Sequence, residues 1–333
     1  MSSAASISIA IEHSQEWRRE CGEVTLHLSL NRTTQKEYAA VAVGLQPMVT
    51  PIRGKVNMFK TKRLHAAVAA IILFLTTVLV TGCSSSAAPS AYAGNPIANR
   101  ETLTQVSTIN ALMAGVYDGV TTSGQMKGYG DFGIGTFEGL DGEMVELDGK
   151  LYQIKADGIA YTVDDSLELP FAAVTYFDND REEKITQGTS YTSLQQFIDN
   201  TIPSPNIFCA IKIKGSFSYV KTRSVPKQVK PYPILAEVTK NQSVFEFRNV
   251  EGAIVGFRCP PYVNGVNVPG YHLHFVTADF KAGGHVLDLT IDNATAMLDF
   301  TPEFFMILPE MGSDFYKIDL SGDASQAIQN AEK

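Results

Sequence analysis

The stretch Gly270-Tyr-His-Leu-His-Phe275, followed by Lys281-Ala-Gly-Gly284 and His285, restricts the fold more than any other part of the chain. Residues two apart on a β-strand face the same way, so His272 and His274 project side by side. Tyr271, Phe275 and Val276 favour a strand, Lys281-Ala-Gly-Gly284 supplies turn residues, and Val286-Leu-Asp-Leu-Thr-Ile291 resumes the strand pattern. The pattern predicts a hairpin, and folding it back brings His285 beside the His-x-His pair. A lone strand histidine is ordinarily a partly exposed bystander. Three on one hairpin point instead to a metal site, in which neutral imidazoles hold a divalent ion at roughly 2.0–2.1 Å and leave a fourth position open. Zinc is placed first, with iron, manganese or nickel as other divalent choices, because imidazole suits several metals.

The rest of 95–333 reads as short strands between turn signals, with two helices. Residues 104–117 carry Ile109, Leu112, Met113 and Val116 at helical spacing, and 191–199 carry Leu194, Phe197 and Ile198 on one face. Strands are predicted over 132–137, 142–147, 151–154 and 171–177, then over 207–213, 215–224, 244–247, 253–257, 271–276 and 286–291, with Asn264-Gly265 as a tight turn before the histidine strand. No strand-helix alternation indicates a parallel doubly wound sheet. The expected class is α+β, β-rich, in two intimate subdomains with mixed or antiparallel sheet and a closed β-barrel carrying the three-histidine site. The glycines of 128–135 lead into turn and strand chemistry rather than a helix, so they are not a phosphate loop.

The N-terminal part has a different character. Met58-Phe-Lys-Thr-Lys-Arg63 is basic, 66–80 is an unbroken run of apolar residues and threonines, and Val80-Thr-Gly-Cys83 ends it with small residues before a cysteine. The run is short for a membrane span and has the layout of a bacterial lipoprotein signal. The expected organisation is an overcalled extension over 1–57, a signal peptide over 58–82, a lipidated Cys83 at the head of a flexible tether over 83–98, and a catalytic domain over 99–333. Translation from Met58 would export the protein and anchor it to the membrane through that lipid alone; otherwise it would be cytoplasmic.

The formal net charge is −8, with no basic block and no aromatic-basic interleaving, which argues against nucleic acid and for a small-molecule partner. Cys209 and Cys259 sit in apolar runs outside any Cys-x-x-Cys pair and are expected to be buried free thiols, with a disulfide as the other option.

Over 105–333 the chain resembles the α-acetolactate decarboxylase family. The likeness is carried by Gln105-Val-Ser-Thr108, Gly115-Val-Tyr-Asp-Gly119, Tyr129-Gly-Asp-Phe-Gly-Ile-Gly-Thr-Phe137, Leu140-Asp-Gly-Glu143, Tyr219-Val-Lys-Thr-Arg223, Gly270-Tyr-His-Leu-His-Phe275 and Gly283-Gly-His285, in this order. The resemblance implies a homodimeric zinc enzyme that converts 2-acetolactate to (R)-acetoin and carbon dioxide. It implies His272, His274 and His285 as zinc ligands, Glu143 and Arg223 as active-site residues, Thr136 in the same region, and Glu332 as a C-terminal glutamate that reaches the metal. On pattern alone Glu143 is a solvated carboxylate after a turn, Arg223 a solvent-facing or ion-paired strand residue, and Glu332 part of a frayed tail. Asp131, Asp141, Glu146 and Asp288 read as structural or solvated.

Decarboxylation of a 2-hydroxy-3-keto acid leaves an electron pair that must be held as an enediolate. A metal with open positions can chelate the keto and hydroxyl oxygens, a fixed guanidinium can stabilise the same charge, and a carboxylic acid can return the proton. Two other readings compete. A cupin-type metal dioxygenase or isomerase also places His-x-His on a strand but needs a nearby carboxylate ligand, for which Asp279 is the candidate. A non-catalytic metal- or solute-binding lipoprotein would need neither Glu143 nor Arg223 near the ion.

Overall fold

The structure, a computed structural model, describes residues 99–332 and, in a separate unit spanning 1–89, an antiparallel pairing of Ser6–Ser8 with His27–Ser29. The segment read as a signal peptide over 58–82, Cys83 and the expected tether over 83–98 lie outside the described residues. No helix of the described residues is long and apolar enough to cross a membrane.

Within 99–332 the strands of three or more residues are β1 Thr102–Val106, β2 Phe132–Thr136, β3 Glu143–Leu147, β4 Lys150–Ile154, β5 Ala160–Thr162, β6 Phe171–Thr175, β7 Arg181–Ile185, β8 Phe208–Ser224, β9 Ser243–Cys259, β10 Gly270–Thr277, β11 Gly283–Thr301 and β12 Glu303–Ile307. The α-helices are α1 Ile109–Met113, α2 Ser123–Met126, α3 Tyr191–Thr201, α4 Leu235–Val238 and α5 Ser325–Glu332. The chain is β-rich, as expected. One sheet runs β12-β1-β6-β2-β3-β4-β5 and is mixed, because β12 pairs parallel to β1 while the other pairings are antiparallel. The other sheet runs β7-β11-β8-β9-β10 and is antiparallel; β10 also pairs with β11, so the pairings of β8, β9, β10 and β11 form a circuit.

Strand alternation decides what lies between the sheets. Phe132, Ile134, Val145, Leu147 and Ile154 of the first sheet pack on Phe208, Ala210, Val255, Phe257 and Val276 of the second. The opposite face of the second sheet, with Cys209, Ile211, Phe217, Leu273, Phe275 and Leu289, closes on Leu194 and Ile198 of α3. Because Leu273 and Phe275 go into that core, His272 and His274 must face the first sheet. Cys209 pairs with Arg258, one position out of phase with Cys259, so the two cysteines belong to different cores and remain buried free thiols.

The predicted first helix is shorter than its apolar spacing suggested. Its N-terminal part is β1, Ser107 has φ of 59°, and Thr108 then caps α1 by accepting from the Ala111 N–H. The buried pairing of β1 with β6 and β12 outweighs the helical period. Residues 207–224 and 243–259, predicted as two strands each, are single strands, because register shifts near Ser216, Phe217 and Lys221 let β8 bend without breaking. After the glycines of 128–135 the chain continues as β2 and a turn.

Candidate metal centre and active site

The predicted hairpin forms, with His274 opposite His285 and His285 opposite Arg223 across three neighbouring strands. The close approach requires Gly283 and Gly284. A Cβ on Gly283 would lie 2.1 Å from the Phe275 carbonyl oxygen, and Gly284 has φ of 137° with the Arg223 carbonyl 2.5 Å from its Cβ position. The three imidazole rings stand with centroids 5.0 to 5.4 Å apart, and one ligand atom from each lies within 4.8 Å of the others.

Backbone carbonyls set the tautomers. His274 Nδ1 donates to the Met144 carbonyl at 2.7 Å, which leaves Nε2 with its lone pair. His285 Nε2 donates to the Glu332 carbonyl at 3.2 Å, which leaves Nδ1 free. Both freed nitrogens are buried without a hydrogen-bond partner, as is Glu332 Oε2. Burial first, and Arg223 second, push the His272 pKa down to about 3; burial likewise holds His274 and His285 well below the usual histidine range. Three unprotonated rings, two of them with orphaned lone pairs and held from behind by carbonyls, are a donor set that fits a divalent cation, because protonation does not compete.

Three further charged groups close around the rings. Glu143, at the start of β3 and opposite Thr136, places Oε2 3.5 Å from His274 Nε2 and accepts from Arg223 Nη1 at 2.8 Å through Oε1. Glu332, in the last turn of α5, places Oε2 3.3 Å from His272 Nε2 and 3.7 Å from His285 Nδ1. Arg223 Nη2 donates to the Ala331 carbonyl at 2.9 Å and lies 3.9 Å from Glu332 Oε1. None of these six residues is more than 7 % exposed. Burial raises the Glu143 pKa to about 7, with Arg223 opposing and Glu332 adding repulsion; burial also raises Glu332 against the pull of Arg223. Desolvation therefore exceeds the ion pair at both carboxyls, shifting each toward its protonated form and bringing Glu143 to about neutrality.

Thr136 lines the same cavity, but its hydroxyl donates to the Gly142 carbonyl at 2.7 Å and holds the turn that presents Glu143. Asp279 is exposed in the hairpin turn, where it accepts from the Thr277 hydroxyl, and it is not part of the histidine cluster. Glu146, read as structural or solvated, is fully buried with neither carboxyl oxygen partnered. The cavity of about 20 Å³ over Glu143, Arg223, His272 and Glu332 has an apolar wall of Leu112, Leu140, Phe171, Val225 and Leu235, which the sequence did not single out. Two of these, Leu140 and Val225, sit at or beside motifs already noted, and the other three are joined only by the fold. The C-terminal helix itself was also missed.

The comparisons with known proteins agree with this geometry. The family model described as Alpha-acetolactate decarboxylase matches residues 103–322. The α-acetolactate decarboxylase of Methanosarcina mazei is 54% identical over 233 residues, covering 70% of this chain and 81% of its own length. That of Bacillus subtilis is 40% identical over 229 residues, covering 68% and 89%. The crystal structure of the Bacillus subtilis strain 168 protein superposes with a TM-score of 0.68 at 39% identity, covering 69% of this chain and 99% of that one. This chain therefore belongs to the α-acetolactate decarboxylase family of carboxy-lyases.

Proposed function

We propose that the chain decarboxylates 2-acetolactate to (R)-acetoin and carbon dioxide at the site between the two sheets, with zinc held by His272, His274 and His285. The observation that carries this reading is the placement of Glu143, Arg223 and Glu332, all buried, against the orphaned ring nitrogens of the hairpin. When bound, the ion supplies Lewis-acid stabilisation for the keto and hydroxyl oxygens of the substrate.

The remaining work falls to this chain's own residues. Arg223 is locked by Glu143 and the Ala331 carbonyl, so its guanidinium presents a fixed positive charge to the carboxylate of the substrate and to the oxygens that become negative. The bond from C1 to C2 breaks, carbon dioxide leaves, and the electron pair moves into a C2–C3 enediolate. A proton must then reach C2 from one face for a single enantiomer to form. Glu143 and Glu332 lie on two sides of Arg223, both shifted toward the protonated form, and either can deliver it. The apolar wall excludes water and takes the methyl groups. The circuit of β8, β9, β10 and β11 is taken as a small closed barrel that holds the ligands rigidly, and a homodimer as the working assembly.

The test is acetoin formation from racemic 2-acetolactate by the purified protein, before and after chelation and after zinc is restored. Activity that disappears and returns, with a single acetoin enantiomer on a chiral column, is the expected result. A zinc-loaded protein that leaves acetolactate untouched would overturn the proposal.

A further inference from the structure

The site is narrow, and its walls differ in how they are held. The space over Glu143, Arg223, His272 and Glu332 is about 20 Å³, room for a water but not for a five-carbon substrate, so part of the wall must move to admit one. Strands β2, β3, β8, β10 and β11 are fixed by ladders on at least one neighbour each. Helix α5 has no such ladder. It follows a largely exposed stretch in which Gly312 and Gly322 have nothing near their Cβ positions.

Few attachments keep α5 in place. Ile328 and Ala331 pack against the core that includes Leu112, Leu140 and Leu235. On its outer side the Asn264 amide donates to the Ser325 hydroxyl at 2.8 Å. On its inner side the last carbonyls, which a helix end leaves without intrahelical partners, accept from Arg223 and His285. A helix this short is marginal by itself, so α5 is helical because it is docked. Beside it lies a second cavity of about 260 Å³, bounded by Pro261, Asn264, Tyr271, Gln329 and Glu332. Glu332 lines both this cavity and the site, and its carboxyl stands at the partition between them.

We propose that α5 is the gate of the site and that the cavity beside it is the route by which substrate arrives. Undocking carries Glu332 out of the partition and joins the two cavities; docking returns the Glu332 carboxyl to the histidines and Arg223. The element that admits the substrate thus also completes the site, and Asn264 and Ser325 are its outer latch, away from the chemistry. The inference rests on the decarboxylase reading for the identity of the substrate.

The test joins the latch covalently. Asn264→Cys and Ser325→Cys are introduced together in the full chain and bridged with dibromobimane, the bridge is located by peptide mass, and zinc content is measured. The bridged protein is expected to lose at least tenfold in kcat/KM relative to the same variant unbridged, with zinc content unchanged. Equal turnover of bridged and unbridged protein would overturn the gate. Hydrogen exchange of the unaltered zinc-loaded protein gives a reading without substrate: amides of 325–332 should exchange at least tenfold faster than those of β10, and equally slow exchange would also overturn it. If the unaltered protein forms no acetoin, the decarboxylase reading fails while the exchange measurement still decides whether α5 opens.

Discussion

Replacing Glu146 with glutamine should flatten the pH dependence of stability. Glu146 follows Glu143 by three residues on β3, so it points to the other side of the strand, away from the metal centre. It sits opposite Gly133, fully buried, with both carboxyl oxygens unpartnered. Burial, aided by Asp131 and opposed by Lys127, pushes its pKa from 4.5 up to about 8. The folded state therefore binds more protons than the unfolded state between these two values, and stability falls as pH rises through that window. The contribution is fully present below pH 4.5 and gone above about 8. At about 1.4 kcal/mol per pH unit the whole interval is worth roughly 4–5 kcal/mol, and the part between pH 5.5 and 8 roughly 3 kcal/mol. With no solvent exposure there is no screening to discount. Glutamine has the same shape and no charge, so its own burial cost is constant with pH. Urea unfolding of both proteins at about pH 5.5 and about pH 8.5 should show the difference shifting by roughly 3 kcal/mol in favour of Glu146→Gln at the higher pH. A difference that stays constant within about 0.5 kcal/mol would mean that Glu146 is ionised, or solvated, in the folded protein.

Other perturbations address the site directly. His274→Ala should abolish stoichiometric zinc binding and acetoin formation together; metal analysis that still finds one bound zinc would contradict the ligand assignment. Arg223→Ala should lower kcat chiefly, and should destabilise the fold by about 3–5 kcal/mol because Glu143 is left buried without its partner; an effect confined to KM would reduce Arg223 to a substrate anchor. Gly284→Ala should cost at least about 1–3 kcal/mol, since φ of 137° is strained for alanine and its Cβ would meet the Arg223 carbonyl, and it should weaken zinc binding by displacing His285; unchanged zinc affinity and thermal stability would refute the claim that the turn sets the site.

The hairpin was legible because its information is local. His-x-His fixes a shared face, two glycines fix the return, and His285 arrives by register. Glu143 and Arg223 had no such signal, since their ion pair joins positions 80 apart, and only the resemblance marked them in advance. The extent of the first helix was misjudged because Ile109, Leu112 and Met113 serve a short helix while Leu103 and Val106 just before them serve a strand, and a helical window spanning both cannot separate the two uses. The pairing of β12 with β1, parallel and distant in sequence, left no pattern at all. Helix α5 was overlooked because its buried face is small, Ile328 and Ala331 ahead of Glu332, and its helicity depends on the surface it meets.

That difference in legibility follows a division of labour. The three candidate ligands come from one hairpin, and two of them, His274 and His285, have their tautomers fixed by carbonyls, so metal affinity should depend mainly on that hairpin and its immediate support. The groups that handle charge and protons come from β3, β8 and the C-terminal helix, and they meet only when both sheets and α5 are in place. Glu143→Gln and Glu332→Gln should accordingly retain zinc while losing turnover by at least about tenfold, the contribution expected of a positioned acid or base. If either substitution instead removes zinc and turnover in step, the carboxylate belongs to the binding set, and the separation between holding the ion and moving the proton does not exist in this fold.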